Sequence, residues 1–383
     1  MLGKSCCITL FELFSKHLDI CGVPRRTFFE RLVHFTDNPL HIDKLREFCS
    51  SEGQLALYEY NQLEHRSYVE VLEDFHSCKV PIEWLIQFIP RLQPRKFSIS
   101  SCCEYYRVPE HCVANGVFSS DACKQLPVVS VPIVECTVAL VEYETPLKRK
   151  RFGVCSQFIQ TLPLIDPSHG ESYSDNDHTC FVPIGIIPGS FRLNRDAFLQ
   201  KKVIMIGPGT GIAPFRSMCQ QRYFHWMNHR NNLDNSDPVE SVMVFFGNRN
   251  ADKDFFFEHE WSNWTAKGQT DDNNTGACVE YFATAFSRDV PNKKVYVTHK
   301  MKEYGKIIWE WITKYECLIF VAGSSRKMPT DVQNTLIAIV QEHGNMTSED
   351  AEKFIRFLER TYRYQSETWS VKKKILFVLF GHI

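Results

Sequence analysis

A glycine-rich segment directly after a short apolar run constrains this chain more than any other feature. Residues 203–206 read Val-Ile-Met-Ile, and a Gly-Pro-Gly-Thr-Gly sequence occupies 207–211 before a helix-compatible stretch that runs to Arg216. This order is typical of a β-strand, a tight loop and a helix N-terminus. Glycine lets the backbone approach an anion closely, and the free N–H groups of a helix N-terminus favour negative charge. The segment therefore predicts a phosphate site, and we expect a dinucleotide to bind there.

The composition limits the class of protein. The chain has 383 residues, 44% hydrophobic and 23% charged, which is ordinary for globular proteins and enough for about two to three domains. Its net charge of −1 gives no indication of nucleic-acid binding. The 15 cysteines are scattered without a Cys-x-x-Cys spacing, so we expect reduced cytosolic thiols and assign no metal site. The apolar run 375–380 is far shorter than the roughly 20 residues of a membrane span.

Apolar spacing and turn residues divide the first half of the chain. Residues 1–90 carry apolar side chains at helical spacing and a turn or cap at Asp37-Asn38-Pro39, so we expect a helical region. Residues 91–198 contain short Val-, Ile- and Thr-rich runs between Pro, Gly and Asp, which predict a β-barrel. Within that barrel we expect strands at 128–131 and 134–141.

Residues 199–370 are expected to alternate between strands and helices. The predicted strands lie at 203–206, 242–246, 295–297 and 318–322, with helix-like segments between them. That alternation favours a doubly wound parallel sheet. Residues 371–383 form an atypical tail. The predicted fold class is therefore α/β plus β-barrel.

Two motifs in the first half carry groups that suit flat rings and anions. In Arg95-Lys96-Phe97-Ser98, the Arg can hold a phosphate and the Phe can stack on a ring, although an ordinary barrel strand has the same pattern. The small-residue turn at 153–156 leads into a helix, which suits either an anion site or a plain serine cap. The basic run 148–151 resembles a nucleic-acid patch, but we interpret it as a solvated face.

Further motifs follow the glycine-rich segment. The run 245–249 predicts a strand that ends at the carboxyl edge of the sheet, where such folds bind ligands. Hydroxyls and cations at 287–288 and 294–296 suit a 2′-phosphate and favour NADPH over NADH, with a solvated basic loop as the alternative. The run 320–325 reads as a further strand and glycine turn. Trp369, near the chain end, is a candidate cap for a ring or a hydrophobic anchor.

In this order the motifs resemble the FAD/NADPH reductase module of the ferredoxin–NADP reductase superfamily, in its diflavin branch. The resemblance covers nearly all of residues 5–370. Within that branch the chain looks most like the NADPH-dependent diflavin oxidoreductases, because of residues 24–30, Asp74-Phe75 and 365–369. The resemblance implies an antiparallel FAD barrel with a helical connecting insertion, followed by a doubly wound parallel NADPH-binding domain.

The resemblance also implies residue roles in the FAD site. Arg95 would bind the FAD pyrophosphate, with Lys96 beside it. Phe97 would pack on the isoalloxazine, and Ser98 would hydrogen-bond near flavin N5. Trp369 would cover the flavin ring until the nicotinamide displaces it. The phosphates of FAD would be cradled by Gly153, Val154, Cys155 and Ser156.

For the NADPH site the resemblance implies a second set of roles. Glu367 would stabilise positive charge on the nicotinamide as hydride leaves, so Ser98, Glu367 and Trp369 are the candidate catalytic residues. Asp331 would line the same site. The dinucleotide would be held by Gly209, Thr210 and Gly211. The 2′-phosphate would be recognised by Ser287, Arg288, Lys294, Val295 and Tyr296.

Several features depart from the family pattern. The family begins with an FMN-binding flavodoxin-like domain, and nothing in this sequence resembles one. We also expect the first barrel strands to be absent, so an incomplete barrel would weaken FAD binding. The connection from Cys102 to about Pro132 is expanded, and the tail 371–383 continues past Trp369, where it could disturb the flavin cap. We interpret these features as those of a splice variant or an incomplete gene model.

Two single positions also differ from relatives. Ala322 stands where the microsomal cytochrome reductase has a cysteine, so we expect no thiol-assisted hydride transfer. His65 stands where an Arg of some relatives could contact FAD, with Arg66 adjacent.

The resemblance implies a cytoplasmic NADPH-dependent flavoprotein reductase. Hydride would pass from NADPH to FAD, and electrons would then pass to FMN and an anamorsin-type iron–sulfur protein in complete family members. Without an FMN domain, we expect only diaphorase-like transfer to small acceptors such as ferricyanide. Two alternatives stay open: a non-catalytic protein that binds NADPH or sequesters a partner, and another diflavin reductase such as methionine synthase reductase.

Overall fold

The structure is a computed structural model that describes residues 8–105, 134–162, 182, 184–230, 239–265, 278–369 and 376–378. The chain forms two compact units, one comprising residues 1–94 and 139–182 and the other residues 95–138 and 183–383. The strand predicted at 128–131 lies outside the described residues, as do nearly all of the expanded connection and most of the tail.

The first unit is mainly helical, as predicted for residues 1–90. Its core is centred on Phe29, Leu32 and Phe48, which are almost fully buried and meet further aromatic rings from neighbouring helices. Its α-helices are Leu10–Glu12, Arg26–Leu32, Pro39–Cys49, Gln54–Leu57, Tyr68–Asp74, Ile82–Phe88 and Val154–Gln160. Segments of π- or 3₁₀-helix extend three of them, at Leu13–His17, Val33–Phe35 and Tyr58–Leu63.

Side-chain caps fix where two of these helices begin. The Asn38 side-chain oxygen accepts hydrogen bonds from the backbone N–H groups of Leu40 (3.0 Å) and His41 (3.3 Å). The predicted cap at Asp37-Asn38-Pro39 is thus confirmed. Ser67 and Glu70 form a reciprocal capping box at the helix Tyr68–Asp74.

The basic run 148–151 lies in a hairpin of the first unit, formed by β2 (Glu142–Glu144) and β3 (Lys150–Phe152). The Arg151 guanidinium donates to the backbone carbonyl of Glu64 at 3.0 Å and to the carboxylate of Glu70 at 2.9 Å. The buried Glu64 carboxylate in turn accepts from the Thr145 hydroxyl at 2.6 Å. The interpretation of this run as a solvated face is therefore only partly right, because Arg151 fastens the hairpin to the helices.

The second unit is built on a five-stranded parallel sheet. Its strands are β4 (Val203–Pro208), β5 (Val242–Asn248), β6 (Val279–Phe286), β7 (Leu318–Ser324) and β8 (Tyr364–Trp369). They lie in the order β6-β5-β4-β7-β8, and the doubly wound arrangement predicted from the alternating pattern is confirmed. A separate pair, β1 (Lys96–Ser98) and β9 (Leu376–Val378), is also parallel.

Helices cover both faces of this sheet. Alternation along β4 sends Ile204 and Ile206 into one core and Val203 and Met205 into the other, so the strand is buried on both sides. A 3₁₀ turn, Gly209–Gly211, follows β4. The α-helices of the unit are Arg195–Gln200, Ile212–Arg230, Ala251–Asp254, Glu258–Thr265, Val297–Glu303, Gly305–Thr313, Met328–Gly344 and Ser348–Arg360.

Two of the predicted strands are wrong. Residues 295–297 lead into the helix Val297–Glu303, because the Tyr296 N–H donates to the His299 ring nitrogen (2.9 Å) and caps that helix. Along the chain, the third strand of the sheet is β6 instead. Its apolar run is interrupted by Glu280 and Thr284, so the sequence pattern does not reveal it. Residues 134–141 form no regular strand and make a single bridge, Ile99 to Cys136.

The ion pair at Glu70 makes the stability of the first unit depend on pH. Partial burial alone would raise the pKa of the Glu70 carboxyl, but hydrogen bonds from Arg151 and the Ser67 backbone hold that pKa below its ordinary value. A lowered pKa in the folded state means that the carboxylate stabilises the fold above its unfolded pKa. The stabilisation is lost as the pH falls through the folded-state pKa.

We therefore expect Glu70→Gln to lower the melting temperature of this unit at pH 7 and to change it little at pH 3. The pair is partly exposed, so the loss should be about 1 kcal/mol or less. Thermal unfolding followed by circular dichroism at both pH values measures it. Glu73→Gln, at an exposed position of the same helix, is the matched control and should have little effect. Equal losses for Glu70→Gln at both pH values would contradict the ionic explanation.

Candidate functional site

The loop after β4 is shaped by two glycines with different constraints. Gly209 has φ of +59°, in the left-handed region, and a Cβ built on it would meet no atom within 4 Å. A Cβ on Gly211 would lie 2.1 Å from the carbonyl oxygen of Ala322. The loop therefore touches the backbone of β7 at Gly211 and stays open to a ligand at Gly209. This is the point where the strand order reverses, between β4 and β7, and open parallel sheets bind ligands there.

A cavity of about 610 Å³ lies at this carboxyl edge. Four of the residues predicted for the NADPH site line it: Gly209, Ser287, Tyr296 and Asp331. They come from the loop after β4, the segment after β6 and the start of the helix Met328–Gly344, which the sheet brings together. The other predicted nucleotide residues, which are not among those that line the cavity, are Thr210, Gly211, Arg288, Lys294 and Val295.

The turn after β6 is held to the turn after β5. Both the backbone N–H of Ser287 (3.0 Å) and its hydroxyl (3.3 Å) donate to the carbonyl of Asn248, and the Arg288 N–H donates to the carbonyl of Arg249 at 2.8 Å. The Arg288 and Lys294 side chains are exposed. Tyr296 is half-exposed, and its ring stacks on His299 with centroids 5.8 Å apart.

Two cations line the cavity that the sequence reasoning did not assign. Arg249 follows the end of β5, and Lys327 precedes the helix Met328–Gly344. The signal for Arg249 was available, because a cation directly after a parallel strand lies at the ligand-binding edge. Lys327 belongs to an exposed turn that gives no such signal.

The chemistry of this cavity fits a phosphorylated dinucleotide. Its groups include an open glycine backbone at Gly209, the Tyr296 hydroxyl, and cations on Arg249 and Lys327. The Asp331 carboxyl also lines it, and the Ser287 hydroxyl, which donates to the Asn248 carbonyl at 3.3 Å, would have to turn to donate to a phosphate. Hydroxyl and cationic donors are what phosphate oxygens require. The residues present therefore suit NADPH.

The candidate catalytic residues of β8 lie at the same edge of the sheet. In the parallel register, Glu367 stands beside Ala322 and Trp369 beside Ser324. The Ser190 hydroxyl donates to the Glu367 carboxylate at 2.8 Å, which fixes that side chain. Trp369 is partly buried against one of the two cores of the sheet.

The residues predicted for FAD are divided between the two units. In the second unit, Phe97 on β1 is 9% exposed, between the half-buried Arg95, Lys96 and Ser98. Flat apolar surface next to a cation and a hydroxyl suits a flavin ring and its phosphates.

In the first unit, Gly153 precedes the helix Val154–Gln160, and a Cβ on it would lie 2.7 Å from Cβ of Val141. The Ser156 hydroxyl donates to the Gly153 carbonyl (3.1 Å) and accepts from the Val141 N–H (3.2 Å). This hydroxyl thus closes the turn. Val154 is exposed, and Cys155 is half-buried behind it.

The pair His65 and Arg66 has a local structural role. His65 adopts φ of +49°, and the Arg66 guanidinium binds the carbonyl of Tyr60 (2.9 Å) and the carboxylate of Asp74 (2.7 Å). Arg66 therefore braces the helical unit.

Among the described residues, no cluster of three or more His, Cys, Asp or Glu side chains is arranged to hold a metal ion. No helix in the part of the chain that the structure describes has the length and apolar character needed to cross a membrane.

Comparison with known proteins identifies both domains. Residues 3–109 match a family described as FAD binding domain, and residues 205–334 match one described as oxidoreductase NAD-binding domain. Over 94% of its length, the chain is 35% identical to NADPH-dependent diflavin oxidoreductase 1 of Xenopus laevis, and over 91% it is 36% identical to that of Arabidopsis thaliana. It is 30% identical over 95% of its length to NADPH–cytochrome P450 reductase of Musca domestica, of which it covers 46%. The chain spans about half the length of these curated relatives, 50% and 48% of the two diflavin proteins.

The two loop glycines predict different responses to alanine. Gly211→Ala forces a Cβ into the Ala322 backbone, which cannot move without shifting β7, so we expect a loss of roughly 3 kcal/mol of unfolding free energy. Gly209→Ala meets no neighbour and costs only the left-handed backbone, about 1 kcal/mol. Urea unfolding of the two variants measures the difference. Equal losses would show that the close approach at Ala322 does not organise the loop.

Proposed function

This chain belongs to the oxidoreductases that join an FAD-binding domain to an NAD-binding domain, and on that premise we propose that it transfers hydride from NADPH to FAD. The observation that carries the proposal is the cavity at the carboxyl edge of the sheet. The open backbone of Gly209, the hydroxyl-bearing Ser287 and Tyr296, and the cationic Arg249 and Lys327 all line that one cavity. That donor set matches a dinucleotide with several phosphates.

The choice of NADPH over NADH rests on the turn after β6. We assign recognition of the 2′-phosphate to Ser287, Arg288, Lys294 and Tyr296. A bridge between Val290 and Lys293 reverses the chain between the two exposed cations of this set. A planar guanidinium and an ammonium group both suit phosphate oxygens. In this proposal, Val295 shapes the turn, Thr210 and Gly211 support the pyrophosphate, and Asp331 borders the site.

The residues around the reacting rings take distinct roles in the proposal. Ser98 offers a hydroxyl hydrogen bond on β1. Glu367, fixed by Ser190, presents a carboxylate that stabilises positive charge on the nicotinamide. Trp369 would cover the flavin ring until the nicotinamide displaces it. When bound, FAD supplies the acceptance of a hydride and the later release of single electrons.

Residues for the rest of the FAD site are also proposals. Arg95 and Lys96 would bind the pyrophosphate and Phe97 would pack on the ring. Backbone groups at 153–156 would approach the phosphates, since the Ser156 hydroxyl already closes that turn.

The activity of a complete protein is a further proposal. We propose that electrons pass onward to an FMN-binding domain and then to an anamorsin-type iron–sulfur protein in the cytoplasm. The support is the similarity to proteins named NADPH-dependent diflavin oxidoreductase 1, of which this chain spans about half.

A second candidate function is NADPH binding without electron transfer. The described residues of the predicted barrel form only the short strands Lys96–Ser98, Glu142–Glu144 and Lys150–Phe152. If this framework does not retain FAD, the chain would bind NADPH alone.

Reduction of ferricyanide by the purified chain, supplied with FAD, separates the two candidates. We expect steady reduction with NADPH and much slower reduction with NADH. Binding of NADPH without ferricyanide reduction would favour the second candidate. Absence of NADPH binding in titration calorimetry would contradict both.

The 2′-phosphate assignment predicts a change in nucleotide preference. Ser287→Ala combined with Arg288→Ala removes two donors to a charged group, each worth about 1.5–3 kcal/mol, so we expect the dissociation constant for NADPH to rise at least about tenfold. Binding of NADH should stay unchanged. Lys302→Ala, at an exposed position of the next helix, is the control. An equal loss of NADPH and NADH binding would contradict the assignment.

A further inference from the structure

Three side chains on the helix Ile212–Arg230 bind consecutive residues just after β1. Arg216 donates to the carbonyl of Ser100 at 2.9 Å, and the Ser217 hydroxyl donates to the carbonyl of Ser101 at 2.8 Å. The Cys102 N–H donates to the side-chain oxygen of the fully buried Gln220, also at 2.8 Å. The exit of β1 is therefore fastened to the helix that follows the glycine-rich loop.

Arg216 is the centre of this junction. The residue is only 3% exposed, and its guanidinium bonds both carboxylate oxygens of Glu260, through Nε at 2.7 Å and through Nη2. The same group pairs with Glu135 and lies 4.2 Å from the centre of the Phe257 ring. A buried charge is tolerated only with such compensation. The planar guanidinium of arginine has enough N–H groups to bond all of these partners at once, and the ammonium group of lysine does not.

The backbone of Glu135 is hydrogen-bonded to the same two serines after β1. Its backbone carbonyl accepts from the Ser100 N–H at 2.8 Å, and its own N–H donates to the Ser101 hydroxyl at 2.9 Å. The Ser100–Ser101 segment is thus held between Glu135 and the helix, and Arg216 contacts both. If this guanidinium were misplaced, the hydrogen bonds that hold Ser100–Ser101 would weaken on both sides of the junction.

The position of this junction connects two segments with different proposed ligands. Ser98, assigned to the flavin, is two residues before Ser100. Gly211, in the loop assigned to NADPH, is five residues before Arg216. We infer that Arg216 is a positioning residue that fixes the flavin-binding strand relative to the nucleotide-binding loop, and so sets the distance for hydride transfer. This inference rests on the proposed function.

Arg216→Lys tests the inference with two readouts. In the FAD-loaded chain we expect kcat for NADPH oxidation to fall at least about tenfold with little change in KM, because a misplaced donor and acceptor lose rate more than affinity. In the chain without cofactors we expect hydrogen exchange of the amides at 100–102 to accelerate at least about tenfold, because their anchor opens locally. Mass spectrometry of peptides that cover 99–105 measures this exchange.

Arg222→Lys is the matched control. Arg222 is buried on the same helix and stacks on Phe198, but it donates to the carbonyls of Glu240 and Lys201 and not to the β1 exit. It should leave exchange at 100–102 and kcat near wild-type values. Ser217→Ala removes one anchor with little risk to folding, and a two- to threefold faster exchange is expected (about 0.5 kcal/mol).

Unchanged exchange in Ser217→Ala and Arg216→Lys, or equal kinetic losses in Arg216→Lys and Arg222→Lys, would overturn the inference. Faster exchange with unchanged kcat would overturn its catalytic part. Failure of the unmodified chain to retain FAD would refute the proposed function instead, while the exchange data would still report on the junction.

Discussion

The contact between Gly211 and the Ala322 carbonyl is the constraint on which the second unit depends. It brings the loop after β4 against the end of β7, the adjacent parallel strand, at the place where the strand order of the sheet reverses. The cavity opens at that point, and the register of β8 on β7 carries Glu367 and Trp369 to the same edge. A side chain at position 211 would separate these elements, which is why a glycine is required there.

The helix after this loop carries two buried arginines that are compensated in different ways. Arg222 donates to the backbone carbonyls of Glu240 and Lys201, and burial lowers its pKa to about 10. Arg216 is paired with Glu135 and Glu260, which lie on separate segments. Arg222 thus joins the helix to the residues just before β4 and β5. Arg216 joins the same helix to the residues just after β1. It therefore connects the packing of the sheet to the position of the strand proposed to bind the flavin.

Features set by neighbouring residues could be predicted from the sequence, and features set by distant ones could not. The loop after β4 and the Asn38 cap depend on adjacent residues, and both follow from them. The strand predicted at 295–297 is an exception with a local cause, because the hydrogen bond from the Tyr296 N–H to the His299 ring, three residues on, starts a helix that residue preference alone does not reveal. Lys327 went unassigned because strand order, rather than sequence spacing, brings it to the cavity. The ion pair between Arg151 and Glu70 also joins residues far apart in the chain, so no sequence pattern indicates it.

In the function proposed above, a nucleotide bound at the carboxyl edge reduces a flavin held by the same chain. The most direct test is the visible absorbance spectrum of the purified chain, recorded before and after anaerobic addition of NADPH. We expect oxidised-flavin bands at near-equimolar FAD that bleach when NADPH is added. Flavin bands that persist with NADPH, or a protein that stays colourless after incubation with FAD, would contradict it.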